Sequence, residues 1–174
     1  VERVGEGIAT AVRSADIGAT PTPRIEAKRF TGAMRLRDRS DFERARDTTE
    51  RASADLGRDG LSPAERRIIE TRLQGAEILE RMAERYEALP TQIPISLWSL
   101  GELRLYGFPG ELFASLGAEL TRGREPAVVL GYTNGYFGYF PDRAAYEAGT
   151  YESLASPYAA GASEELIAWI RNQG

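Results

Sequence analysis

Apolar and polar residues alternate with period two from residue 92 onward: Ile93, Ile95 and Leu97 fall on one side and small or polar positions on the other, which predicts a strand. Gly101 offers a turn, and residues 102–108 resume an extended pattern, so the pair reads as a hairpin. Pro94 has no amide hydrogen to give a ladder and therefore predicts an edge position for the first strand. Leu112, Phe113, Leu116 and Leu120 then mark a short helix that stops at Gly123. Residues 127–132 form a nearly continuous apolar run, as expected of a strand covered on both faces. Strand, helix and strand make a β-α-β unit. Upstream, Ile8, Val12 and Ala15 are spaced for a helix over 1–15, and residues 25–36 alternate like a half-buried strand with an irregularity near Gly32.

Between these regions the period changes from two to about 3.6. Phe42, Ala45, Ala52 and Leu56 make a thin stripe on a charge-rich helix over 41–56. Ser62-Pro63-Ala64-Glu65 combines a capping hydroxyl, proline at the first helical position and glutamate three residues after the serine. A long amphipathic helix should follow, with Ile69, Leu73, Ala76, Leu79 and Met82 recurring before Pro90 and Arg/Glu pairs outside. Residues 142–148 and 163–172 read as two further helices, the second capped by Ser163. The expected class is α/β: a mixed β-sheet with flanking helices, a β-α-β unit and a long charged helical segment. Residues 1–174 are expected to be a single domain or the C-terminal fragment of a larger catalytic domain, with 41–89 as a helical insertion and 92–158 bearing the site.

Composition narrows the chemistry. With 22 basic and 26 acidic residues the net charge is −4, and no basic block stands clear of acidic neighbours, so nucleic acid is not an expected partner. The apolar runs fall far short of the roughly 20 residues a membrane helix needs, so an integral membrane protein is not expected. The 174 residues contain no cysteine and no histidine. A zinc site normally draws on imidazole or thiolate, and histidine is the commonest general acid or base; the composition therefore predicts one part of an active site. Val1 in place of an initiator methionine, and the lack of a signal-peptide layout in 1–14, lead to the expectation of an excised or processed piece. Its compartment stays open.

If the strands at 102–108 and 127–132 are parallel, their carboxyl ends share one sheet edge, where open α/β sheets bind ligands. Glu111 and the loop at Asn134 would then face one crevice. Pro109-Gly110-Glu111 sets the carboxylate near the positive end of the following helix, where it can hold charge or simply steady the helix start. Asn134-Gly135 is a strong turn pair. Six of the eight tyrosines lie between Tyr132 and Tyr158, Tyr136, Tyr139, Tyr146 and Tyr151 among them; their phenols can line a groove for a partly apolar ligand or serve as packing. Trp98 and Trp169 read as structural.

These residues carry a resemblance. Residues 95–158 resemble the C-terminal part of the neutral/alkaline ceramidase catalytic domain: a P-G-E turn (Pro109-Gly110-Glu111), an N-x-Y-x-x-Y motif from Asn134 to Tyr139, Tyr146 seven residues on, and the pair Tyr151-Glu152 five later. The resemblance implies metal-assisted hydrolysis of an N-acyl amide or lipid-like substrate, with Glu111 and Tyr139 as zinc ligands and Tyr151 beside the scissile amide. Tyr136 and Tyr146 would line the substrate groove. It also implies that an N-terminal portion of the same protein supplies two histidine ligands, an arginine, a further histidine and a serine. Alone, this chain would bind zinc weakly and lack activity. Leu112 to Ala118 reads L-F-A-S-L-G-A where the ceramidases carry a T-T-M-A-G-R-like stretch, and S-L-A-S-P-Y follows Tyr151-Glu152 in place of a G-A-S-T-like one; both mark a divergent member. A secreted or periplasmic location rests on the resemblance alone. The helical segment 41–89 could pack on the domain or project as an arm, the latter giving a homodimer. The alternative reading is a non-catalytic binding domain with a tyrosine-lined crevice.

Overall fold

The computed structural model describes residues 6, 9, 10, 13, 14 and 24–173; the helix expected over 1–15 lies mostly outside them, and its five described positions are helical. The elements that follow are β1 (Ile25–Ala33), α1 (Arg39–Leu56), α2 (Pro63–Ala83), a 3-10 turn (Tyr86–Ala88), β2 (Gln92–Leu100), β3 (Leu103–Gly107), β4 (Glu111–Leu112), α3 (Ala114–Thr121), β5 (Ala127–Leu130), β6 (Tyr139–Phe140), α4 (Arg143–Ala148), α5 (Tyr151–Ala155) and α6 (Ala162–Arg171). A four-stranded sheet runs β1-β2-β3-β5, antiparallel at the first two junctions and parallel at β3–β5. A two-stranded parallel ladder, β4–β6, stands beside it. The mixed sheet with flanking helices and the β3-α3-β5 crossover match the expected class.

The β2–β3 hairpin turns at Gly101, whose φ of 60° suits a residue without a Cβ. The alternation in β2 sends Ile93, Ile95 and Leu97 into the core with Tyr106 and Phe108, against Leu116 and Leu120 of α3 and Leu166, Ile167 and Ile170 of α6. The irregularity expected near Gly32 is absent, since β1 pairs with β2 in unbroken register from Ile25 to Ala33; the glycine is needed instead because a Cβ there would collide with Leu166, so the missing side chain lets α6 approach the sheet. The stripe of α1 meets α2 in a second cluster of Phe42, Ala45 and Leu79, with Tyr86 edge-on to Phe42 at 5.1 Å. The capping box at Ser62 is fully formed, with Ser62 N–H donating to Glu65 Oε2 at 2.8 Å and Glu65 N–H to Ser62 Oγ at 3.2 Å. The helical pair does not stand free: α2 packs on α5, with Gly75 buried against Leu154.

Two expectations are corrected. Pro94 sits in an inner strand, opposite Thr31 of β1. It is tolerated because the ladder with β3 spans only Ser96 to Leu100, leaving Pro94 beyond it. The apolar run of β5 is covered on one face only; as the edge strand it leaves Val128 45% and Leu130 39% exposed. Among the described residues, no helix is long and apolar enough to cross a membrane.

Candidate functional site

Beyond β3 the chain runs through buried Phe108, Pro109 and Gly110, and the loop after β5 is laced to this stretch through backbone hydrogen bonds. Phe108 N–H donates to Leu130 O (2.8 Å), Thr133 N–H to Phe108 O (2.7 Å), Phe137 N–H to Pro109 O (2.7 Å) and Glu111 N–H to Gly138 O (2.9 Å). The loop can follow this path because Tyr132, Asn134, Gly135 and Gly138 all take positive φ. Asn134 also anchors it by donating from Nδ2 to Ser96 Oγ at 2.7 Å. The outcome is the parallel pairing of Glu111 with Tyr139, which aims both side chains to the same face.

Glu111 therefore stands in the short strand β4, two residues ahead of the helix start near which the sequence placed it. Its amide is spent on Gly138, and the residue capping α3 is Phe113. Phenols surround the carboxylate. Tyr136 donates its hydroxyl to Glu111 Oε1 at 2.8 Å, and Tyr132 stacks on Tyr136 at 5.6 Å with the planes 5° apart. Tyr139 meets Tyr151 edge to face at 5.8 Å. Burial, then the neighbouring Glu111 carboxylate, raises the phenol pKa of Tyr132, Tyr136 and Tyr139 above the ordinary value, and Tyr151 and Glu152 add to the effect at Tyr139.

Of the residues singled out by sequence, Glu111, Tyr136, Tyr139 and Tyr151 come together. Tyr146 does not join them: its hydroxyl donates to Tyr158 O at 2.7 Å and Arg37 lies over its ring at 5.2 Å. Tyr132 and Ser96 belong to the site and were not anticipated. The available signal for Tyr132 was its place at the carboxyl end of an apolar strand, two residues before the Asn134-Gly135 turn.

Two clefts of about 370 Å³ flank the cluster. One lies over Glu111, Phe113, Gly117, Val129 and Tyr132. The other, more apolar, lies between the helical pair and the loop, against Met82, Leu89, Pro90, Tyr136 and Phe137. A larger cavity of about 610 Å³, lined by Arg24, Glu26, Glu102, Arg104 and Arg124, belongs to the opposite end of the sheet. Among the described residues no three acidic, histidine or cysteine side chains gather as a metal cluster. A carboxylate and an adjacent phenol are hard oxygen donors that fit part of a cation's shell, short of the usual three protein ligands of catalytic zinc.

No protein-family model matches the chain. Over 94 residues it is 31% identical to the neutral ceramidase of Pseudomonas aeruginosa, a match that takes in 47% of this chain and 14% of the relative. Part of this chain is similar to neutral ceramidase. The crystal structure of neutral ceramidase from the same species superposes on 94% of this chain and 30% of its own, with a TM-score of 0.55 and 20% identity, so the two share a fold. These low-identity, partial matches are consistent with a divergent ceramidase-like fragment, and this chain spans only 14% of the length of the curated relative.

Proposed function

We propose that this chain supplies the carboxylate-and-tyrosine side of the active site of a ceramidase-like, zinc-dependent amidohydrolase. The observation that carries the reading is the in-register pairing of Glu111 with Tyr139, two residues separated by 28 positions that meet side by side at the end of the sheet. Glu111 Oε atoms and the Tyr139 phenol would hold the zinc, which when bound supplies an activated water and a polarised carbonyl. Tyr136, donating to Glu111 Oε1, orients that carboxylate. Tyr151, beside Tyr139, is placed to donate to the oxygen that gains charge as the amide is attacked. The apolar cleft beside Tyr136 and Phe137 suits the acyl part of an N-acyl amide.

Two oxygen donors are too few for a catalytic zinc, and the sequence contains no imidazole, so the remaining ligands come from polypeptide outside these 174 residues. The isolated chain is accordingly inactive and weak in zinc binding. The test uses the product of the complete reading frame that encodes this chain. Glu111→Ala and Tyr139→Phe should each lower zinc content and N-acyl amide hydrolysis, whereas Tyr146→Phe, remote from the carboxylate, should spare the metal. Unchanged zinc and activity in both of the first two variants would reject the assignment.

A further inference from the structure

The four-stranded sheet has two apolar faces, and only one is part of the core. Side chains alternate across a strand, so the register assigns Phe30, Gly32, Ile93, Ile95, Leu97, Tyr106 and Val129 to the face under α3 and α6. The same register places Ile25, Trp98, Leu100, Leu105, Val128 and Leu130 together on the other face. Ile25, Val128 and Leu130 are 66%, 45% and 39% exposed, and Trp98, Leu100 and Leu105 are half-buried although strands flank them. A contiguous apolar face of this kind marks a contact surface.

The occupant is indicated by where this face ends. It runs into Ser96 and Gly107, beneath the Asn134 loop that holds Tyr136 next to Glu111. The surface left uncovered by the described residues and the donor set that lacks ligands thus adjoin. The relatives also have the chain to fill it, since the superposition uses only 30% of the solved ceramidase. The geometry points to the outer face of β1-β2-β3-β5 as the docking surface for an apolar layer of polypeptide from outside these 174 residues, which seats itself on Trp98, Leu105 and Val128 and delivers the missing ligands beside Glu111. This rests on the hydrolase reading for the ligands but not for the contact itself.

The chain has no cysteine, so single thiols report on the surface directly. Val128→Cys and Leu130→Cys are compared with Gln74→Cys, on the exposed side of α2, for reaction with a maleimide in the folded 174-residue chain and in the complete reading-frame product. The expected result is equal labelling of all three in the short chain and, in the complete product, slowing of the two sheet thiols by on the order of tenfold or more with Gln74→Cys unchanged. Equal labelling in both proteins overturns the inference. Protection already present in the short chain also overturns it, whether the chain is a dimer, which makes a second copy the cover, or a monomer whose protection is lost on deleting residues 1–23. Labelling needs no metal: protection in a product that binds no zinc leaves the docking surface standing and removes the hydrolase reading, while zinc and activity with open sheet thiols do the reverse.

Discussion

Gly110 controls whether Glu111 reaches Tyr139, and replacing it by alanine is a sharp test of that geometry. A Cβ at position 110 would sit 2.7 Å from Phe140 Cε2 and closer still to the Gly138 carbonyl oxygen, the same atom that accepts the Glu111 amide. Gly110 has no left-handed φ, so alanine is opposed by the contact alone. The obstacle is backbone on one side and a fully buried ring on the other, with no flexible tip to swing away. Forcing atoms into such a place costs roughly 1–3 kcal/mol, and loss of the Glu111–Gly138 hydrogen bond adds about 0.5–1.5 kcal/mol. Reduced freedom of the unfolded chain returns about 0.4–1 kcal/mol. Gly110→Ala should therefore destabilise by roughly 1–3 kcal/mol, a fall of about 1 M in the urea midpoint at an m-value near 2 kcal/mol/M. Gly117→Ala is the opposite-sign partner: it lies within α3, its Cβ would rest 3.8 Å from a Val129 methyl, and the helix should gain about 0.5–1 kcal/mol. Urea unfolding followed by circular dichroism checks both. A Gly110→Ala midpoint equal to or above that of the parent would refute the close approach of β4 to β6.

Ser62→Ala removes the hydroxyl that accepts from Glu65 N–H, leaving only the backbone arm of the capping box, and should lower stability by about 1 kcal/mol, read as a small drop in urea midpoint with no change in zinc binding. Burial holds the phenols of Tyr136, Tyr146 and Tyr158 above the ordinary tyrosine value in the fold. Their contribution to stability is present below the unfolded value of about 10 and is lost as pH rises toward the folded values. The urea midpoint should then fall between about pH 9 and about pH 11, and the fall should shrink in Tyr158→Phe. Glu111→Gln removes a charge next to three phenols and should bring the alkaline titration of Tyr132, Tyr136 and Tyr139 down part of the way, burial being the larger cause; an unaltered spectrophotometric titration would place the carboxylate elsewhere.

Local signals read well from the sequence where one residue type has one use. Ser62 and Glu65 announced their helix, Gly101 its hairpin, and the apolar run of β5 its parallel partnership. The edge position inferred from Pro94 failed because sheet edges are local: the inner strand β2 is unpaired with β3 before Ser96, a stretch that includes Pro94, a matter of how far β3 extends. Glu111 was placed at a helix start because proline and glycine before an apolar-periodic stretch commonly mark one. The amide of Glu111 was instead claimed by Gly138, a partner 27 residues away that no local pattern announces. The same non-local pairing made Tyr132 a member of the carboxylate cluster and left Tyr146 on the far side, bonded to Tyr158 O. Spacing could nominate the tyrosines, but only the path of the loop through its positive-φ residues could sort them.

The proposed sharing of one cation by Glu111 and Tyr139 can be read from copper(II) substituted into the complete reading-frame product, because a phenolate bound to copper(II) gives a visible charge-transfer band. The band should appear in the parent and in Tyr146→Phe, disappear in Tyr139→Phe, and weaken with copper affinity in Glu111→Gln. A band that survives Tyr139→Phe would show that Tyr139 does not bind the metal.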